Sequence, residues 1–303
     1  MKIRDIGEIG LIRRIARRIK CDRSVIKGIG DDTAVIKWTR DKYLLFTCDM
    51  LVEGTHFRRE TATPYQIGWK ALGRNLSDIA AMGGVARYAV VSAGLDPDAP
   101  LPLADGIWKG LDALAKKFDV NIVGGDTVRS KKLVIDVSLI GEVEKNNLVL
   151  RSGAKPGDAI LVTGSLGGSI KGKHLSFMPR ITEARRLVTN FKINSMIDIS
   201  DGLVLDLWRI LKASDAGARI HEGMVPVARD AGSFKKAISG GEDFELLFTI
   251  APKEARRLLR SSLADMKTPI TPIGEITAKK DGYFLVRKDG RSEPLKAKGY
   301  LHF

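Results

Sequence analysis

Strand-like and helix-like segments alternate along nearly the whole chain, and this alternation limits the possible folds more than any other feature. The strand-like runs "YLLFTCD" and "ARYAVVSAGL" are each followed by a helical pattern, "PYQIGWKALGRNLSDIAAM" and "ADGIWKGLDALAKKF". In the second helical pattern Ile107, Leu111, Leu114 and Phe118 recur at the spacing of one helix face. Such a chain is expected to fold as α/β or α+β layers in which helices cover a sheet.

A polar, turn-rich stretch, "EKNNLVLRSGAKPGD", divides this alternation into two parts of similar size. At 303 residues the chain is long enough for two domains with cores of their own. We expect an N-terminal domain over residues 1–146, with a mixed sheet and helices, and a C-terminal α/β domain over 147–303. In the second domain we expect strands at "AILVTG", "ARIHE", "FELLFTI" and "TPIGEI" and helices at 201–213 and 252–264.

The N-terminus predicts an amphipathic helix with a basic outer face and not a secretory signal. "MKIRDIGEIGLIRRIARRIK" is charged throughout, and no apolar run approaches the ~18 residues of a membrane span. Cys21 and Cys48 lie far apart without a pairing motif or a zinc-binding spacing, which is typical of a reducing compartment. We therefore expect a cytoplasmic protein with no membrane partner.

The net charge of +14 leaves two interpretations open. A basic protein can bind nucleic acid, and "RRIARRIK" could contact phosphates. However, aromatic residues make up only 6% of the chain, no RNA- or DNA-binding module is recognisable, and the acids are concentrated in glycine-rich loops. We expect that nucleic acid is not the partner and that the basic surface attracts phosphorylated metabolites.

Acidic residues recur in glycine-containing turns at the ends of predicted strands and helices. Glycine lets the backbone approach a ligand closely, so an acid beside it is held at a loop mouth. The residues are Asp31 and Asp32 in "GIGDDTAVI", Asp49 in "TCDMLVEGTHF", Asp78 in "NLSDIAAMGG", Asp126 in "GGDTVRS", Asp198 and Asp201 in "DISDGL", and Glu242 and Asp243 in "SGGEDFELLF". Any one of them could bond its own turn, and Ser200 or Asp201 could cap the helix that follows.

If several of these carboxylates converge, they require a cation. Each pair at ~4 Å repels by about 4 kcal/mol at an effective dielectric of ~20. Mg²⁺ prefers oxygen ligands and bridges to substrate phosphates, whereas the chain has no Cys/His cluster for zinc or a redox metal. A cluster of acids that binds Mg²⁺ indicates phosphate chemistry. The P-loop and protein-kinase signatures are missing, so a different nucleotide-binding architecture is needed.

The order of these motifs resembles that of the thiamine-monophosphate kinase family, within the aminoimidazole ribonucleotide synthetase-like ATP-binding superfamily. The resemblance runs from about residue 5 to residue 303 and includes "VEGTHF", "RSGAKPGD" and a terminal "KGY". It implies the two-domain fold of that superfamily and a homodimer whose N-terminal sheets pack together. It also implies transfer of the γ-phosphoryl of ATP to thiamine monophosphate, with several Mg²⁺ ions, to give thiamine diphosphate and ADP.

The resemblance assigns expected roles to individual residues. The residues for Mg²⁺ are Asp32, Thr47, Cys48, Asp49, Asp78, Asp126, Asp198 and Asp201; those for ATP are Gly125, Asp126, Arg151 and Ser200; those for the thiamine portion are His56, Glu242 and Tyr300. The alternatives are a structural, hydrogen-bonded His56, a Tyr300 that only packs the C-terminus, a surface Arg151, and an Asn75 that orients Asp78. No Ser, Cys or His lies in a nucleophile motif, so we expect direct in-line transfer without a phosphoenzyme.

Three features depart from the family pattern. Cys48 stands where a hydroxyl residue is expected, which weakens a side-chain contact to Mg²⁺ but leaves the backbone carbonyl. Ala297 stands where an aromatic residue is expected, and the segment between "TGSLGGSIKGK" and "FMPRITEA" is short and lacks a helix. The related selenophosphate synthetases, hydrogenase-maturation proteins and aminoimidazole ribonucleotide synthetases fit less well. The chain lacks the reactive Cys–Lys pairing of selenophosphate synthetases and the Cys-containing tail of hydrogenase-maturation proteins. Aminoimidazole ribonucleotide synthetases, in turn, lack the "GGEDFELLF" pattern.

Overall fold

The first domain is built on a six-stranded mixed sheet in the computed structural model, which describes residues 2–261 and 267–302. Its strands are β1 (Val25–Lys27), β2 (Ala34–Lys37), β3 (Lys42–Val52), β4 (Val85–Leu95), β5 (Asn121–Arg129) and β6 (Val134–Glu144). The strand order is β1-β2-β3-β6-β4-β5, and neighbours are antiparallel except for the parallel pair β4 and β5. The expected mixed sheet is confirmed.

Helices cover one face of this sheet. The helices of the domain are α1 (Ile3–Ala16), α2 (Pro64–Ala81) and α3 (Leu101–Lys117). Helix α2 begins at Thr63, whose hydroxyl accepts the Gln66 N–H at 3.2 Å. Helices α2 and α3 pack backbone against backbone because both carry glycine at the contact: a Cβ on Gly68 would lie 1.9 Å from the Ile107 carbonyl oxygen.

Helix α1 forms as expected, but its apolar side chains are not fully buried in the described part of the chain. None of its residues is buried, and Ile3, Ile12 and Ile15 are all exposed. The helix is interrupted at Gly7, where φ is 63°. The expected helix is present, and its apolar side chains are at most half-buried within the described residues.

The second domain contains a seven-stranded mixed sheet. Its strands are β7 (Ala159–Thr163), β8 (Ile193–Asp198), β9 (Ala216–His221), β10 (Leu246–Ile250), β11 (Ile270–Ala278), β12 (Tyr283–Val286) and β13 (Ser292–Pro294). Its helices are α4 (Ile181–Asn190), α5 (Leu203–Ser214), α6 (Phe234–Ser239) and α7 (Pro252–Arg260). The order is β13-β12-β9-β11-β7-β10-β8, with only β12 and β9 parallel.

Helix α2 lies between the two domains and joins their cores. One apolar cluster continues from the first sheet through Leu76 of α2 to Leu187 of α4 and Phe248 of β10. A second cluster, which includes Ile210 of α5 and Ile276 of β11, belongs to the C-terminal domain alone. The polar residues of α2 are therefore held at the junction by apolar packing on both sides of the helix.

The expected elements are present, and the expected lack of an α-helix between β7 and α4 is confirmed. Helix α7 ends at Arg260, and positions 262–264 of the expected helix lie outside the described residues. Residues 164–180, all described, contain two three-residue 3₁₀ turns and no α-helix. Among residues 2–261 and 267–302, no helix has both the length and the apolar character needed to cross a bilayer.

Candidate active site

Three carboxylates converge where the two domains meet. Asp32 precedes β2, Asp78 lies in the last turn of α2, and Asp198 ends β8. One carboxylate oxygen from each lies within 4.8 Å of the other two. Asp32 and Asp198 are buried, so water does little to screen their mutual repulsion. Such a group is stable only with a proton or a cation between its members.

Hydroxyl groups orient two of these carboxylates. The Thr47 hydroxyl donates to Asp78 Oδ2 at 2.5 Å, and the Ser77 hydroxyl donates to Asp198 Oδ2 at 2.7 Å. Because Thr47 belongs to β3 and Ser77 to α2, each hydrogen bond joins two different elements. The carboxylates are thus fixed before any ligand arrives, which is what a preorganised cation site needs.

Arginine side chains approach this group from three elements. Each pairs with a different aspartate: Arg151 with Asp32 at 2.7 Å, Arg74 with Asp49 at 3.1 Å, and Arg209 with Asp201 at 2.5 Å. These pairs bring Asp49 and Asp201 to the same junction as the three converging acids. The acids also influence one another: burial has the largest effect on the pKa of Asp49 and raises it, and the charge of the Asp201 carboxylate raises it further.

Burial and like charge leave the central acids only partly compensated. Burial, then the charges of Asp49 and Asp198, raise the pKa of Asp78 well above its usual value. Burial, then the charge of Asp32, raise the pKa of Asp198 likewise. A divalent cation would relieve both effects.

The donor set suits Mg²⁺. All the converging side-chain atoms are oxygens, the ligands that hard divalent cations prefer. Two further buried oxygens have no hydrogen-bond partner within the described ranges. They are Asp31 Oδ2, next to Asp32 in the sequence, and Asn75 Oδ1, three residues before Asp78. Asn75 Nδ2 donates to the Ala71 carbonyl at 3.2 Å, four residues earlier in the same helix. This side chain therefore does not orient Asp78. The residues present therefore fit a magnesium site.

Neither Ser200 nor Asp201 caps helix α5 through its side chain. The N-cap is Gly202, at φ 109°, and no side-chain cap is formed there. Instead the Asp201 N–H donates to the Asp206 carboxylate at 3.0 Å. The possibility that capping explains one acid of "DISDGL" is therefore excluded, and both Asp198 and Asp201 keep their carboxylates at the junction.

A second polar cluster lies at the same junction, around Glu242. The Glu242 carboxylate accepts from Lys70 Nζ at 2.6 Å and lies 2.8 Å from His174 Nδ1. Burial raises the pKa of Glu242, but His174 and Lys70 outweigh this and bring it down to about 2. Burial, then the charge of Arg74, lowers the pKa of His56 to about 4. At neutral pH the cluster therefore presents an anionic Glu242 and a neutral His56.

The C-terminal tail approaches both clusters. The Tyr300 N–H donates to the Asp201 carbonyl at 3.0 Å. The His302 ring lies 5.3 Å from the ring of His56 and 5.1 Å from that of Tyr300. His56 Nδ1 accepts the Val52 N–H at 3.0 Å, so His56 has a structural hydrogen bond as well as an exposed ring edge. Tyr300 and His56 thus border the same space as Glu242.

Comparison with known proteins identifies the family. The family models for the "AIR synthase related protein" N-terminal and C-terminal domains match residues 30–143 and 168–287. The thiamine-monophosphate kinase of Bacillus subtilis is 35% identical over 98% of this chain and all of its own length, and that of Escherichia coli K12 is 37% identical over 98% of both. The chain belongs to the thiamine-monophosphate kinase family. The solved structure "AaThiL complexed with AMPPCP and TMP" matches with a TM-score of 0.86 and 30% identity, over 100% of this chain and 99% of that one.

Two residues that the family resemblance assigned to Mg²⁺ do not reach the carboxylate group. Alternate residues of β3 point to opposite sides of the sheet, so Thr47 faces Asp78 while Cys48 is exposed on the other face, 3.4 Å from Asp136. Burial, then the charge of Asp136, raises the pKa of the Cys48 thiol, which disfavours the thiolate. Asp126 pairs with Ser92 on this same outer face and is exposed.

The ATP residues of the family pattern lie in two places. Arg151 and Ser200 are at the carboxylate group, where Arg151 is bound to Asp32 and the Ser200 carbonyl accepts the Glu242 N–H at 2.7 Å. Gly125 and Asp126 line a cavity of about 520 Å³ between α3 and the sheet. At Gly125 a Cβ would lie 1.8 Å from the Val91 carbonyl oxygen, so this glycine is required by the close approach of β4.

Several residues of this site were not predicted from the sequence. They are Lys70, Arg74, Ser77, Trp108, His174 and Arg209. A signal was present for three of them, because Lys70, Arg74 and Ser77 lie eight, four and one residues before Asp78 on neighbouring positions of one side of α2. His174 gave no signal, since its partners are 104 and 68 positions away in the chain.

Proposed function

We propose that this chain is a kinase that transfers the γ-phosphoryl of ATP to thiamine monophosphate, giving thiamine diphosphate and ADP. The observation that carries the proposal is the meeting of Asp32, Asp78 and Asp198 at the domain junction of a chain that matches thiamine-monophosphate kinases over nearly its whole length. The AMPPCP and thiamine-phosphate complex named for the structural neighbour supports the same substrates.

In this proposal the carboxylates of the junction hold several Mg²⁺ ions. The residues are Asp32, Asp49, Asp78, Asp198 and Asp201, with Thr47 through its hydroxyl and residue 48 through its carbonyl. Asp126, on the outer face of the sheet, does not reach this group and is left out of the proposed ligand set. Bound Mg²⁺ neutralises phosphate oxygens and the charge that develops on them. The chain itself fixes the acids, through the Thr47 and Ser77 hydroxyls and through Arg151 on Asp32.

We place the base of ATP in the cavity beside α3 and its phosphates toward the carboxylates. Trp108 offers a ring for stacking in that cavity, and Gly125 and Asp126 line it. Asp49 and Gly125 lie in one cross-strand row through Val137 and Val91, three strand spacings or about 14 Å apart. The row itself is closed to a nucleotide because Val137 is fully buried, so the phosphates would pass outside it to reach Arg151 and Ser200.

The thiamine portion then occupies the space bordered by His56, Glu242 and Tyr300. Thiamine carries a positive charge and an aromatic amine, which an ionised Glu242 and two neighbouring rings would complement. The acceptor phosphate is already anionic and needs no general base, and the Thr47 and Ser77 hydroxyls at the junction are each engaged as donors to a carboxylate. Direct in-line transfer by positioning and charge neutralisation is the proposed mechanism.

Assembly, boundaries and location are proposed with the function. The division at 146/147 is supported by the first sheet ending at Glu144 and the second beginning at Ala159. Apolar side chains on the outer face of the first sheet support a homodimer through that face. Both cysteines, which lie in the described part of the chain, are exposed free thiols, and this supports a cytoplasmic location.

The test is a direct assay with the purified chain, Mg-ATP and thiamine monophosphate. We expect thiamine diphosphate and ADP in equal amounts, and no product when Mg²⁺ is chelated or when thiamine replaces thiamine monophosphate. Labelled ATP without acceptor should leave no label on the protein. ATP hydrolysis without thiamine diphosphate would contradict the proposed function, and a labelled protein on the reaction path would contradict the in-line mechanism.

A further inference from the structure

Lys70 is a wholly buried lysine at the junction of the two domains. It lies on α2, is 0% exposed, and its Nζ donates to the His56 carbonyl and to Glu242 Oε2, both at 2.6 Å. Nζ also lies 2.7 Å from His174 Nδ1. Burying an ammonium group is costly unless its hydrogens are accepted, and here the His56 carbonyl and Glu242, from two different segments, accept from it. His174 Nδ1 lies beside it because both groups donate to Glu242 Oε2.

His174 and Lys70 hold the same atom of Glu242. His174 is buried in the 3₁₀ turn Lys173–Leu175, and its Nδ1 lies 2.8 Å from Oε2. Over the part of the chain that the structure describes, the hydrogen bonds to the Glu242 side chain all fall on Oε2 and none on Oε1. The Glu242 side chain is 19% exposed, so Oε1 remains accessible to a ligand.

The backbone of Glu242 is fixed as firmly as its side chain. Its φ is 65°, in the left-handed region that non-glycine residues rarely adopt. Its N–H donates to the Ser200 carbonyl at 2.7 Å, and a Cβ on Gly241 would come within 2.7 Å of that same oxygen. The Glu242 turn is therefore locked onto the loop that carries Asp198 and Asp201.

We propose that Lys70 and His174 are positioning residues that hold Glu242 by Oε2 so that Oε1 accepts a hydrogen bond from the aminopyrimidine ring of the thiamine substrate. The inference rests on the proposed function and adds two residues, from different domains, to recognition of the substrate. Because Lys70 also holds the His56 carbonyl, one ammonium group sets the relative positions of both substrate-facing residues. Neither Lys70 nor His174 contacts the substrate itself.

The alternative is that Lys70 merely holds the domains together. Another ion pair does this elsewhere: Arg185 of α4 binds Glu144 at 2.8 Å and the Gly83 carbonyl at 2.7 Å, away from Glu242. Arg185→Met therefore removes an interdomain cation without disturbing Glu242. It is the matched control for Lys70→Met, which keeps the side-chain length and removes the charge.

The experiment measures binding of thiamine monophosphate and of the ATP analogue AMPPCP by calorimetry, together with KM for each substrate. We expect Lys70→Met and His174→Ala to weaken thiamine monophosphate binding about tenfold or more, with AMPPCP binding and KM for ATP within about twofold of wild type. His174→Asn should restore most of the loss, because its amide can replace Nδ1. Arg185→Met should change neither affinity, although its melting temperature falls.

A double-mutant cycle with Glu242→Gln separates positioning from structure. If Lys70 acts through Glu242, then Lys70→Met should cost thiamine monophosphate affinity in the wild type and almost none in the Glu242→Gln background. Additive losses, or equal losses for AMPPCP, would overturn the proposal. If Lys70→Met does not fold, the same cycle is run with His174→Ala. If the wild-type chain binds thiamine monophosphate but does not phosphorylate it, the proposed kinase activity is rejected and the positioning of Glu242 can still be tested. If it does not bind thiamine monophosphate, both proposals are rejected.

Discussion

Neighbouring carboxyl groups of this chain differ sharply in ionisation because their partners differ. Glu242 has two basic partners, and its pKa falls to about 2. Asp243, the next residue, is fully buried, accepts one N–H from Gly167 at 2.8 Å on Oδ2, and has an unpartnered Oδ1 within the described ranges. Burial raises its pKa to about 7, although the Gly167 N–H and the charge of Lys173 oppose this.

Replacing Asp243 by Asn should reveal this effect as a change in the pH dependence of stability. A folded-state pKa above the unfolded value of 3.8 gives stability that is present at low pH and lost as pH rises through about 7. Asn stays neutral and keeps the acceptor for Gly167. We expect Asp243→Asn to be more stable than wild type at pH 8, by on the order of 1–4 kcal/mol, with little difference at pH 4.5.

Urea unfolding at pH 4.5, 6 and 8 measures this difference. Asp112→Asn, at an exposed carboxylate paired with Lys116 on α3, is the control and should show no such trend. A variant whose stability relative to wild type does not change with pH would contradict the buried, protonated Asp243.

At the scale of elements, one helix and one turn contribute all of the carboxylate group except Asp32. Helix α2 contributes Arg74, Ser77 and Asp78 from a single face, and apolar packing on both sides fixes that face at the junction. The "DISDGL" turn contributes Asp198, where β8 ends, and Asp201. Because Gly202 is the N-cap of α5, neither carboxylate is used to cap that helix. The like charges are thus imposed by the packing of these elements, at a cost that Mg²⁺ would remove.

Asp198→Asn should separate folding from cation binding. The amide keeps the size of the carboxylate and still accepts from Ser77, while it removes repulsion with Asp32. We expect the melting temperature without Mg²⁺ to equal or exceed that of wild type. The increase on adding Mg²⁺ should shrink or vanish, and Mg²⁺ affinity should fall by at least roughly tenfold.

Thermal melts across a Mg²⁺ titration, run beside the kinase assay, test this prediction, with Asp112→Asn again as the control. Asp201→Asn should weaken the Mg²⁺ response likewise, since Asp201 adds charge at the same junction, but its melting temperature should fall because the pair with Arg209 is lost. An unchanged Mg²⁺ response and near wild-type turnover at limiting Mg²⁺ would show that "DISDGL" does not bind the metal.

At the scale of the whole molecule, the first sheet has one covered face and one open face. Helices α2 and α3 bury the first, while the open face carries exposed apolar side chains on β3, β4 and β5. These are Phe46, Met50, Tyr88, Val90 and Val128. A sheet face of this kind is suited to an isologous contact with a second copy, in which the same patch serves both subunits.

Val90→Lys should therefore convert a dimer into monomers, because two copies of the new charge would be buried at one contact. Light scattering coupled to size exclusion should give twice the chain mass for wild type and one chain mass for the variant. Leu259→Lys, at an exposed apolar residue of α7, should remain dimeric. A monomeric wild type at micromolar concentration would contradict the proposed dimer.

The sequence by itself determined the elements, the two-domain α/β class and the family, because periodicity and motif order are local properties of the chain. It also predicted a larger set of acids for one site, and three of them, Asp32, Asp78 and Asp198, converge in the structure. Only the tertiary structure decided which neighbours reach that site: the pleat of β3 turns Thr47 toward Asp78 and Cys48 away. Likewise, Lys70, His174 and Glu242 meet only because α2 packs against the second domain, and pairing across 68 to 172 positions leaves no periodic trace in the sequence.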